Sequence, residues 1–259
     1  MPGVVYMIKI ILAGCNGYMG KVVTALVKND PDVTIVAGVD INTEKLDDYP
    51  VVSNPVDITE DADILLDFSI STALDGLLTY CLEKSIPLIL CATGYTPEQI
   101  LDIENASKLI PVFRSGNMSL GINLLADLIA RACAILGEDF DVEIVERHHR
   151  RKVDAPSGTA LMLADAAASA LPYKSEYVYE RESSRKPRDK NEIGISAVRG
   201  GTIVGVHDVI FAGQDEVIEL RHTATSRDIF AVGALKATKF ILGKPPGMYN
   251  MKDVFNQSN

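Results

Sequence analysis

The segment IKIILAGCNGYMG at residues 8–20 joins an apolar run to three glycines in the spacing G-x-x-G-x-x-G. Its first part, Ile8–Ala13, is apolar apart from one lysine and predicts a buried parallel strand. Apolar residues at helical spacing follow from Tyr18 to Lys28 and predict a helix. A glycine-rich turn between a strand and a helix lets backbone N–H groups approach a pyrophosphate, which indicates a dinucleotide-binding fold. Because the spacing is one position off the standard G-x-G-x-x-G, a plain strand-to-helix turn is the alternative.

Strands and helices alternate through the first 119 residues. Further strands are predicted over 33–39, 63–68, 87–91 and 111–114, and helices over 72–84 and 97–108. This alternation predicts βαβ units and a parallel sheet covered on both faces.

The pattern changes after Asn117. A helix over 120–136 leads into an alternating strand over 141–148, a helix over 157–171 and a polar loop over 173–192. Strand-like runs over 193–199, 202–211 and 216–223 have no helices between them, and a last helix covers 227–242. We therefore predict an α/β protein with a Rossmann-like parallel sheet domain (1–119 and 228–259) that binds a dinucleotide. A smaller α+β domain (120–227) with a mostly antiparallel, open-faced sheet would bind the substrate.

Composition narrows the classes of function. The 259 residues are 47% hydrophobic and carry a net charge of −10, so the chain is globular and lacks the broad basic face that a nucleic-acid partner requires. No apolar run reaches the ~18 residues of a membrane span, which argues against a membrane partner. The four cysteines form no C-x-x-C pair, which favours reduced thiols in a cytoplasmic protein. No basic segment typical of a signal peptide precedes the first strand, and residues 1–6 are interpreted as an extension or a mis-assigned start.

An acidic residue strengthens the dinucleotide prediction. Asp40 ends the second predicted strand, where a carboxylate accepts hydrogen bonds from the adenosine ribose hydroxyls. A 2′-phosphate would require Arg or Lys beside the ribose, but Ile41 follows Asp40, and Tyr18 stands where the turn could carry an Arg. We therefore expect NADH to be preferred over NADPH.

A second functional motif is the cationic segment ERHHRRKVDAPSGTA at residues 146–160. It runs from a strand end through a basic loop into a helix, with Ser157 as the predicted N-cap. The N–H groups of Gly158 and Thr159 in the first helical turn lack intrahelical partners and can bind a carboxylate. His and Lys beside them can neutralise a second carboxylate and supply a proton. The motif predicts a small dicarboxylate substrate, and a solvated basic loop before an ordinary capped helix is the alternative.

The two adjacent histidines of this motif do not predict a metal site. On a strand, His148 and His149 point to opposite faces and could not share one ion. We therefore predict no bound metal.

The motif at 146–160 resembles the signature of the dihydrodipicolinate reductase family, whose members are now called 4-hydroxy-tetrahydrodipicolinate reductases. Other similar segments span nearly the whole chain: Gly14–Gly20, Asp67-Phe68-Ser69, Cys91-Ala92-Thr93-Gly94, Ser115-Gly116-Asn117-Met118-Ser119, Arg199–His207 and His222–Gly233. The resemblance implies NAD(P)H-dependent reduction of 4-hydroxy-tetrahydrodipicolinate to tetrahydrodipicolinate in lysine and diaminopimelate biosynthesis. It also implies a homotetramer that is built through the open-faced sheet of the second domain.

The resemblance assigns roles to individual residues. His148 would be the general acid and Lys152 a second proton donor. The substrate carboxylates would be held by His149, Lys152, Gly158 and Thr159. The adenosine and pyrophosphate would contact Gly14, Cys15, Asn16, Gly17, Tyr18, Met19 and Asp40. The nicotinamide side would be lined by Cys91, Ala92, Thr93, Ser115, Gly116, Asn117 and Met118.

Two positions depart from the family pattern, and two other functions stay open. Cys91-Ala92-Thr93-Gly94 replaces the usual Gly-Thr-Thr-Gly, and Ile41 stands where some members carry Arg. The alternatives are a two-domain amino-acid dehydrogenase acting on aspartate or diaminopimelate, and a non-catalytic NADH-binding redox sensor. The cationic proton donors of the 146–160 motif count against a sensor.

Overall fold

A computed structural model describes residues 6–256, and the chain divides into two compact units. Unit 1 holds the described residues up to Met118 together with those from Asp228 onward, and unit 2 is Ser119–Arg227. Of the predicted amino-terminal extension, residues 1–5 lie outside the described residues. The predicted domains place the first boundary one residue later, and the roles assigned to them stay predictions.

The described residues form the following elements. The strands are β1 (Ile8–Ala13), β2 (Val33–Val39), β3 (Val51–Val52), β4 (Ile64–Asp67), β5 (Leu88–Leu90), β6 (Pro111–Arg114), β7 (Asp141–His148), β8 (Glu176–Val178), β9 (Glu192–Arg199), β10 (Gly205–Ala212), β11 (Val217–Ala224) and β12 (Gly247–Tyr249). The helices are α1 (Tyr18–Val27), α2 (Leu74–Lys84), α3 (Pro97–Ser107), α4 (Leu120–Leu136), α5 (Gly158–Ala168), α6 (Asp228–Ile241) and α7 (Met251–Asn256). Short 3-10 helices cover Pro55–Asp57, Ser71–Ala73 and Gly137–Asp139.

Unit 1 is built on a seven-stranded sheet in the order β12-β6-β5-β4-β1-β2-β3. Its neighbouring strands are all parallel, which confirms the predicted Rossmann-like sheet. The central strands β1, β4 and β5 are almost wholly buried, as expected of a parallel sheet covered on both faces. The chain leaves β1 toward β2 on one side and returns to β4 on the other, so the carboxyl ends of β1 and β4 flank a topological switch point.

Unit 2 is built on a five-stranded sheet in the order β11-β10-β7-β9-β8. β10 pairs antiparallel with β11 and β7, whereas β9 pairs parallel with β7 and β8. The sheet is therefore mixed, and the prediction of a mostly antiparallel sheet was wrong in this respect. The parallel pairing arises because the segment between β7 and β9, which includes α5, returns the chain to the same end of the sheet before β9 begins.

The predicted elements are confirmed within a few residues, apart from the shortest ones. β1, β2, β6, β7 and α4 have the predicted bounds. The prediction missed β3, β12 and α7, and it placed β8 inside the loop at 173–192. Strands of two or three residues carry too little sequence pattern to be recognised, since their pairing partners supply most of their order.

Helix α4 lies in the stretch Leu120–Asp139, which by length and composition is long and apolar enough to cross a membrane. Core helices pass the same test. Ile129 and Cys133 of α4 pack in the buried core of unit 2, and Asp127 and Arg131 form an ion pair on its surface. We therefore describe α4 as a core helix, and the absence of a membrane partner stays a prediction.

Candidate functional site

The glycine-rich turn of unit 1 follows β1 and leads into α1. Gly14 has φ +73°, and a Cβ added there would lie 2.6 Å from the Phe68 carbonyl oxygen, so a side chain is excluded both by backbone conformation and by contact. A Cβ at Gly20 would lie 2.2 Å from the Gly14 carbonyl oxygen. Gly17 is the N-cap of α1, and no side chain caps the helix. The first-turn amides of α1 are therefore available to an anion.

Asp40 and Asn16 join this turn to the loop that follows β2. The Asn16 N–H donates to Asp40 Oδ2 at 2.9 Å, and the Asn42 N–H donates to Asp40 Oδ1 at 3.0 Å. The Asn16 side chain donates to the carbonyl oxygens of Asn42 and Glu44 at 2.7 and 2.9 Å. Each Asp40 oxygen accepts one backbone hydrogen bond and retains lone-pair capacity, so the carboxylate can also accept from hydroxyl groups.

The remaining residues of the turn differ in what they expose. The Cys15 side chain is buried beside Gly38, and burial raises the pKa of its thiol to about 11, so this residue offers only its backbone to the exterior. Tyr18 is 64% exposed, and Met19 is half-buried. These residues, with Gly14, Gly17 and Gly20, form a cradle of backbone that fits a dinucleotide.

Two further predicted segments lie at the carboxyl ends of β5 and β6. Cys91, Ala92 and Thr93 follow β5, and the Cys91 N–H donates to the Asp67 carbonyl at 2.9 Å. Ser115, Gly116, Asn117 and Met118 follow β6, and Ser115 Oγ donates to the Asn117 carbonyl at 3.0 Å. A Cβ at Gly233 would lie 1.7 Å from the Met118 carbonyl oxygen. Helix α6 therefore packs so close to this segment that only glycine fits at position 233. Parallel strands bring these segments, the glycine turn and Asp40 to the same edge of the sheet.

In unit 2, the end of β7 carries the predicted acid. His148 is buried, and its Nδ1 lies 2.6 Å from Oε2 of Glu146. Glu146 is fully buried and also accepts from the guanidinium of Arg199 at 2.7 Å on each oxygen. Burial alone would raise the pKa of Glu146, but the hydrogen bonds from Arg199 and His148 hold it below its usual value.

Helix α5 begins beside the same carboxylate. The Ser157 N–H donates to Glu146 Oε1 at 3.0 Å, and Ser157 Oγ accepts from the Ala160 N–H at 3.2 Å, which confirms the predicted N-cap. Gly158 has open space around its Cβ position, and α5 has no acidic side chain in its first turn. Gly158 and Thr159 therefore lie at the beginning of a helix, where the Gly158 N–H donates a hydrogen bond to the Asp154 carboxylate.

A second histidine packs against the first. His207 on β10 is 4% exposed, and its ring meets that of His148 edge to face with 5.2 Å between centroids. Its Nε2 lies 3.1 Å from Ser157 Oγ. Burial, aided by the nearby His148, lowers the pKa of His207 to about 4, so His207 is neutral near pH 7.

The basic loop after β7 holds the other predicted residues. The Lys152 ammonium lies 2.8 Å from Asp154 Oδ1, and the Lys152 N–H donates to the His149 carbonyl at 3.1 Å. Burial and the neighbouring cations Arg151 and Arg227 lower the pKa of His149. The loop thus presents cationic groups beside a neutral imidazole at ordinary pH.

Two family models match this chain. The model described as "Dihydrodipicolinate reductase, N-terminus" matches residues 8–118, and the model described as "Dihydrodipicolinate reductase, C-terminus" matches residues 121–255. The chain belongs to the dihydrodipicolinate reductase family. The family predicted from the motif at 146–160 is thereby confirmed.

Individual relatives agree with this family. The chain is 54% identical to the 4-hydroxy-tetrahydrodipicolinate reductase of Caldanaerobacter subterraneus subsp. tengcongensis, over 96% of this chain and 98% of the relative. It is 52% identical to the enzyme of the same name from Clostridium tetani, with the same coverage. Dipicolinate-bound dihydrodipicolinate reductase from Paenisporosarcina sp. TG-14 has a similar fold, with a TM-score of 0.79 and 24% identity over 94% of this chain and 97% of that one. Family membership confirms the prediction of an NAD(P)H-dependent oxidoreductase.

Sequence reasoning missed three residues that surround His148 in this family member. Glu146, Arg199 and His207 lie within the segments that resemble the family, but the sequence pattern predicts no role for them. Alternation along β7 could have placed Glu146 on the same face as His148, because residues two apart on a strand share a face. Arg199 and His207 lie on β9 and β10, and no local pattern predicts their contact with β7.

No group of three or more His, Cys, Asp or Glu side chains that could hold a metal ion occurs among residues 6–256.

Proposed function

We propose that this chain reduces 4-hydroxy-tetrahydrodipicolinate to tetrahydrodipicolinate in lysine and diaminopimelate biosynthesis, with NADH or NADPH as the donor. The observation that carries the proposal is the arrangement around Glu146, which joins His148 to the beginning of α5. The proposed proton donor and the proposed carboxylate-binding helix N-terminus thus both contact one carboxylate. Relatives about half identical over nearly their whole length carry this activity in their names.

The backbone cradle of unit 1 would hold the cofactor. The first-turn amides of α1 would receive the diphosphate, and the absence of side chains at Gly14 and Gly17 would let it approach. Asp40 would accept hydrogen bonds from the adenosine ribose. The segments at 91–93 and 115–118 would line the nicotinamide. When bound, NAD(P)H supplies the hydride.

The charged cluster of unit 2 would hold and protonate the substrate. The amides of Gly158 and Thr159 would bind one carboxylate, and His149 and Lys152 the other. His148 would donate the proton that accompanies hydride transfer, and Lys152 would be a second donor. To bind the substrate, the Lys152 ammonium and the Gly158 N–H would both exchange their contacts with the Asp154 carboxylate for contacts with the substrate.

We further propose that NADH is preferred over NADPH. Asp40 places a negative charge where a 2′-phosphate would lie, and the next side chain, Ile41, is 98% exposed and apolar. A phosphate there would meet repulsion from Asp40 without a cationic partner at this position.

Assembly and compartment are also part of the proposal. The sheet face of unit 2 exposes Val198 and Val217, and a homotetramer built through this face would bury them. The four cysteines of the chain are free thiols, which suits a cytoplasmic enzyme. Sedimentation of the purified protein tests the assembly, and the expected species has four times the chain mass of 28.1 kDa.

The reaction is tested by following NAD(P)H absorbance while the unstable substrate is generated enzymatically. We expect NADH oxidation that depends on the substrate and is inhibited competitively by dipicolinate. An amino-acid dehydrogenase would instead reduce NAD⁺ with aspartate or diaminopimelate, and a redox sensor would bind NADH without turnover. Either of those results would refute the proposed reaction.

A further inference from the structure

Glu146 is a fully buried carboxylate that neither binds the substrate nor transfers a proton in the proposed reaction. Its two oxygens accept hydrogen bonds from three residues on three different segments: the last residue of β7, the N-cap of α5, and β9. Burying an ionised carboxylate is costly unless every lone pair has a partner.

Arg199 contacts both oxygens of Glu146, but each oxygen also has a partner of its own. Oε2 lies 2.6 Å from Nδ1 of His148, the predicted acid. Oε1 accepts from the N–H of Ser157, the residue that begins the predicted carboxylate-binding helix, at 3.0 Å. One rigid planar group therefore fixes the acid and the helix N-terminus relative to each other.

The contact with His148 determines which ring nitrogen can take part in chemistry. An ionised carboxylate can only accept hydrogen bonds, so the Nδ1 of neutral His148 must carry the proton. Its Nε2 is then the nitrogen that gains and loses the exchangeable proton. Nε2 lies 3.1 Å from the position that a Cβ on Gly205 would occupy, so the absence of a side chain at Gly205 leaves room beside it.

The contact with Ser157 determines where α5 begins. Ser157 donates its N–H to Glu146 and accepts from the Ala160 N–H through Oγ. With the N-cap held at both its backbone and its side chain, the amides of Gly158 and Thr159 have a fixed direction.

Arg199 keeps Glu146 ionised and immobile. Its two terminal nitrogens contact one Glu146 oxygen each at 2.7 Å, and Nη2 also donates to the Asp154 carbonyl at 2.6 Å. This bidentate pairing is the strongest ordinary geometry for a carboxylate. The same guanidinium therefore links the carboxylate to the loop that carries Lys152.

From these contacts we infer that Glu146, held by Arg199, is a positioning residue that sets the tautomer of His148 and aligns it with the amides of Gly158 and Thr159. The inference rests on the proposed function for the roles of His148 and the helix amides. The geometric part, the tautomer and the fixed N-cap, does not depend on the reaction.

The tautomer is measured first, on the wild-type protein. The chain has four histidines, and long-range ¹H–¹⁵N spectra at alkaline pH, assigned with single His→Gln variants, report which ring nitrogen of each carries the proton. We expect neutral His148 to be protonated on Nδ1. Protonation on Nε2 would overturn the inference, whether or not any Glu146 variant folds.

Two substitutions then separate charge from length. Glu146→Gln keeps the length but removes the charge, and Glu146→Asp keeps the charge but is too short to contact His148 and Ser157 together. We expect kcat to fall about 10- to 100-fold in each, by analogy with carboxylates that orient a metal-binding histidine, with NADH affinity unchanged. Only Glu146→Gln should also give His148 a mixture of tautomers, since a glutamine can either donate or accept.

Glu143→Gln is the matched control. Glu143 lies on the same strand but on the opposite sheet face, where it pairs with Arg181 and Arg188, and we expect kcat to be unchanged. A folded Glu146→Gln protein with the wild-type kcat and tautomer would overturn the inference, as would an equal loss in the Glu143 variant. If the wild-type protein shows the Nδ1 tautomer but no reductase activity, the proposed function fails while the positioning by Glu146 stands.

Discussion

The glycine turn of unit 1 and the Glu146 cluster of unit 2 are built in opposite ways. The turn consists of backbone: Gly14, Gly17 and Gly20 contribute the absence of side chains, the first turn of α1 contributes its amides, and the Cys15 side chain is buried away from the exterior. The cluster consists of buried charged and polar side chains, and Glu146, Ser157 and His207 are each nearly inaccessible.

The two sites should therefore be damaged by different kinds of substitution. Adding one carbon damages the turn, because the space is already filled by backbone. The cluster tolerates little loss, because removing one partner leaves another buried polar group unsatisfied.

The largest effect is expected at the proton donors. Replacing His148 by Gln, or Lys152 by Ala, should lower kcat about 10²- to 10⁴-fold, since each removes a proposed proton-transfer group. Binding of NADH, measured by its fluorescence, should be unchanged because these residues lie in unit 2. Arg150→Ala removes an exposed cation from the same loop and should retain activity. Wild-type rates in both His148→Gln and Lys152→Ala would contradict the assignment.

The next effect concerns the backbone of the turn. Gly14→Ala should destabilise the protein by roughly 2–5 kcal/mol, from the left-handed backbone together with the collision at Phe68, and should abolish NADH binding. Gly243 has the same φ of +73° but nothing within 4 Å of its Cβ position, so Gly243→Ala isolates the conformational part. Equal urea-unfolding free energies for the two variants would show that the collision has no cost.

The stability of unit 2 should depend on pH through His207. Its pKa of about 4 in the folded protein lies below the ordinary value of 6.5, so the unfolded chain binds the proton more readily. The free energy of unfolding should therefore fall as the pH drops from about 6.5 to about 4, by roughly 3 kcal/mol from this group. In His207→Gln this component should vanish, as urea unfolding followed by circular dichroism would show. An unchanged pH dependence in the variant would mean that His207 takes up its proton in the folded state.

The smallest effect concerns the choice of cofactor. Ile41→Arg should lower the KM for NADPH about tenfold, or about 1.4 kcal/mol, by adding a cation beside the 2′-phosphate. Ile41→Gln has similar length without charge and should leave the KM for NADPH near the wild-type value. A strong preference of the wild-type enzyme for NADPH would refute the proposed role of Asp40.

The sequence predicted those helices and strands whose own residues show a clear apolar run or periodicity. The apolar run of β1 reflects burial on both sheet faces, and the alternation of β7 reflects burial on one face. Both strands have the predicted bounds. The mixed pairing of the second sheet could not be predicted, because it depends on where the segment containing α5 returns the chain. The short strand β8 acquires its order from β9.

In the candidate site, too, the sequence predicted residues that are close in the chain but not the distant residues that contact them. The motif at 146–160 indicates His148, Lys152 and the N-cap Ser157 from adjacent residues. Arg199 lies 53 positions after Glu146, and His207 lies 50 positions after Ser157. Contacts at that separation are made by the sheet, so the positions of Arg199 and His207 beside the motif became visible only in the structure.

The most direct test of the two-site account is a crystal structure of the protein with both NADH and dipicolinate. We predict that the diphosphate contacts the amides of the 14–19 turn and that the dicarboxylate contacts residues between His148 and Thr159. A dicarboxylate bound away from residues 148–159 would contradict the account.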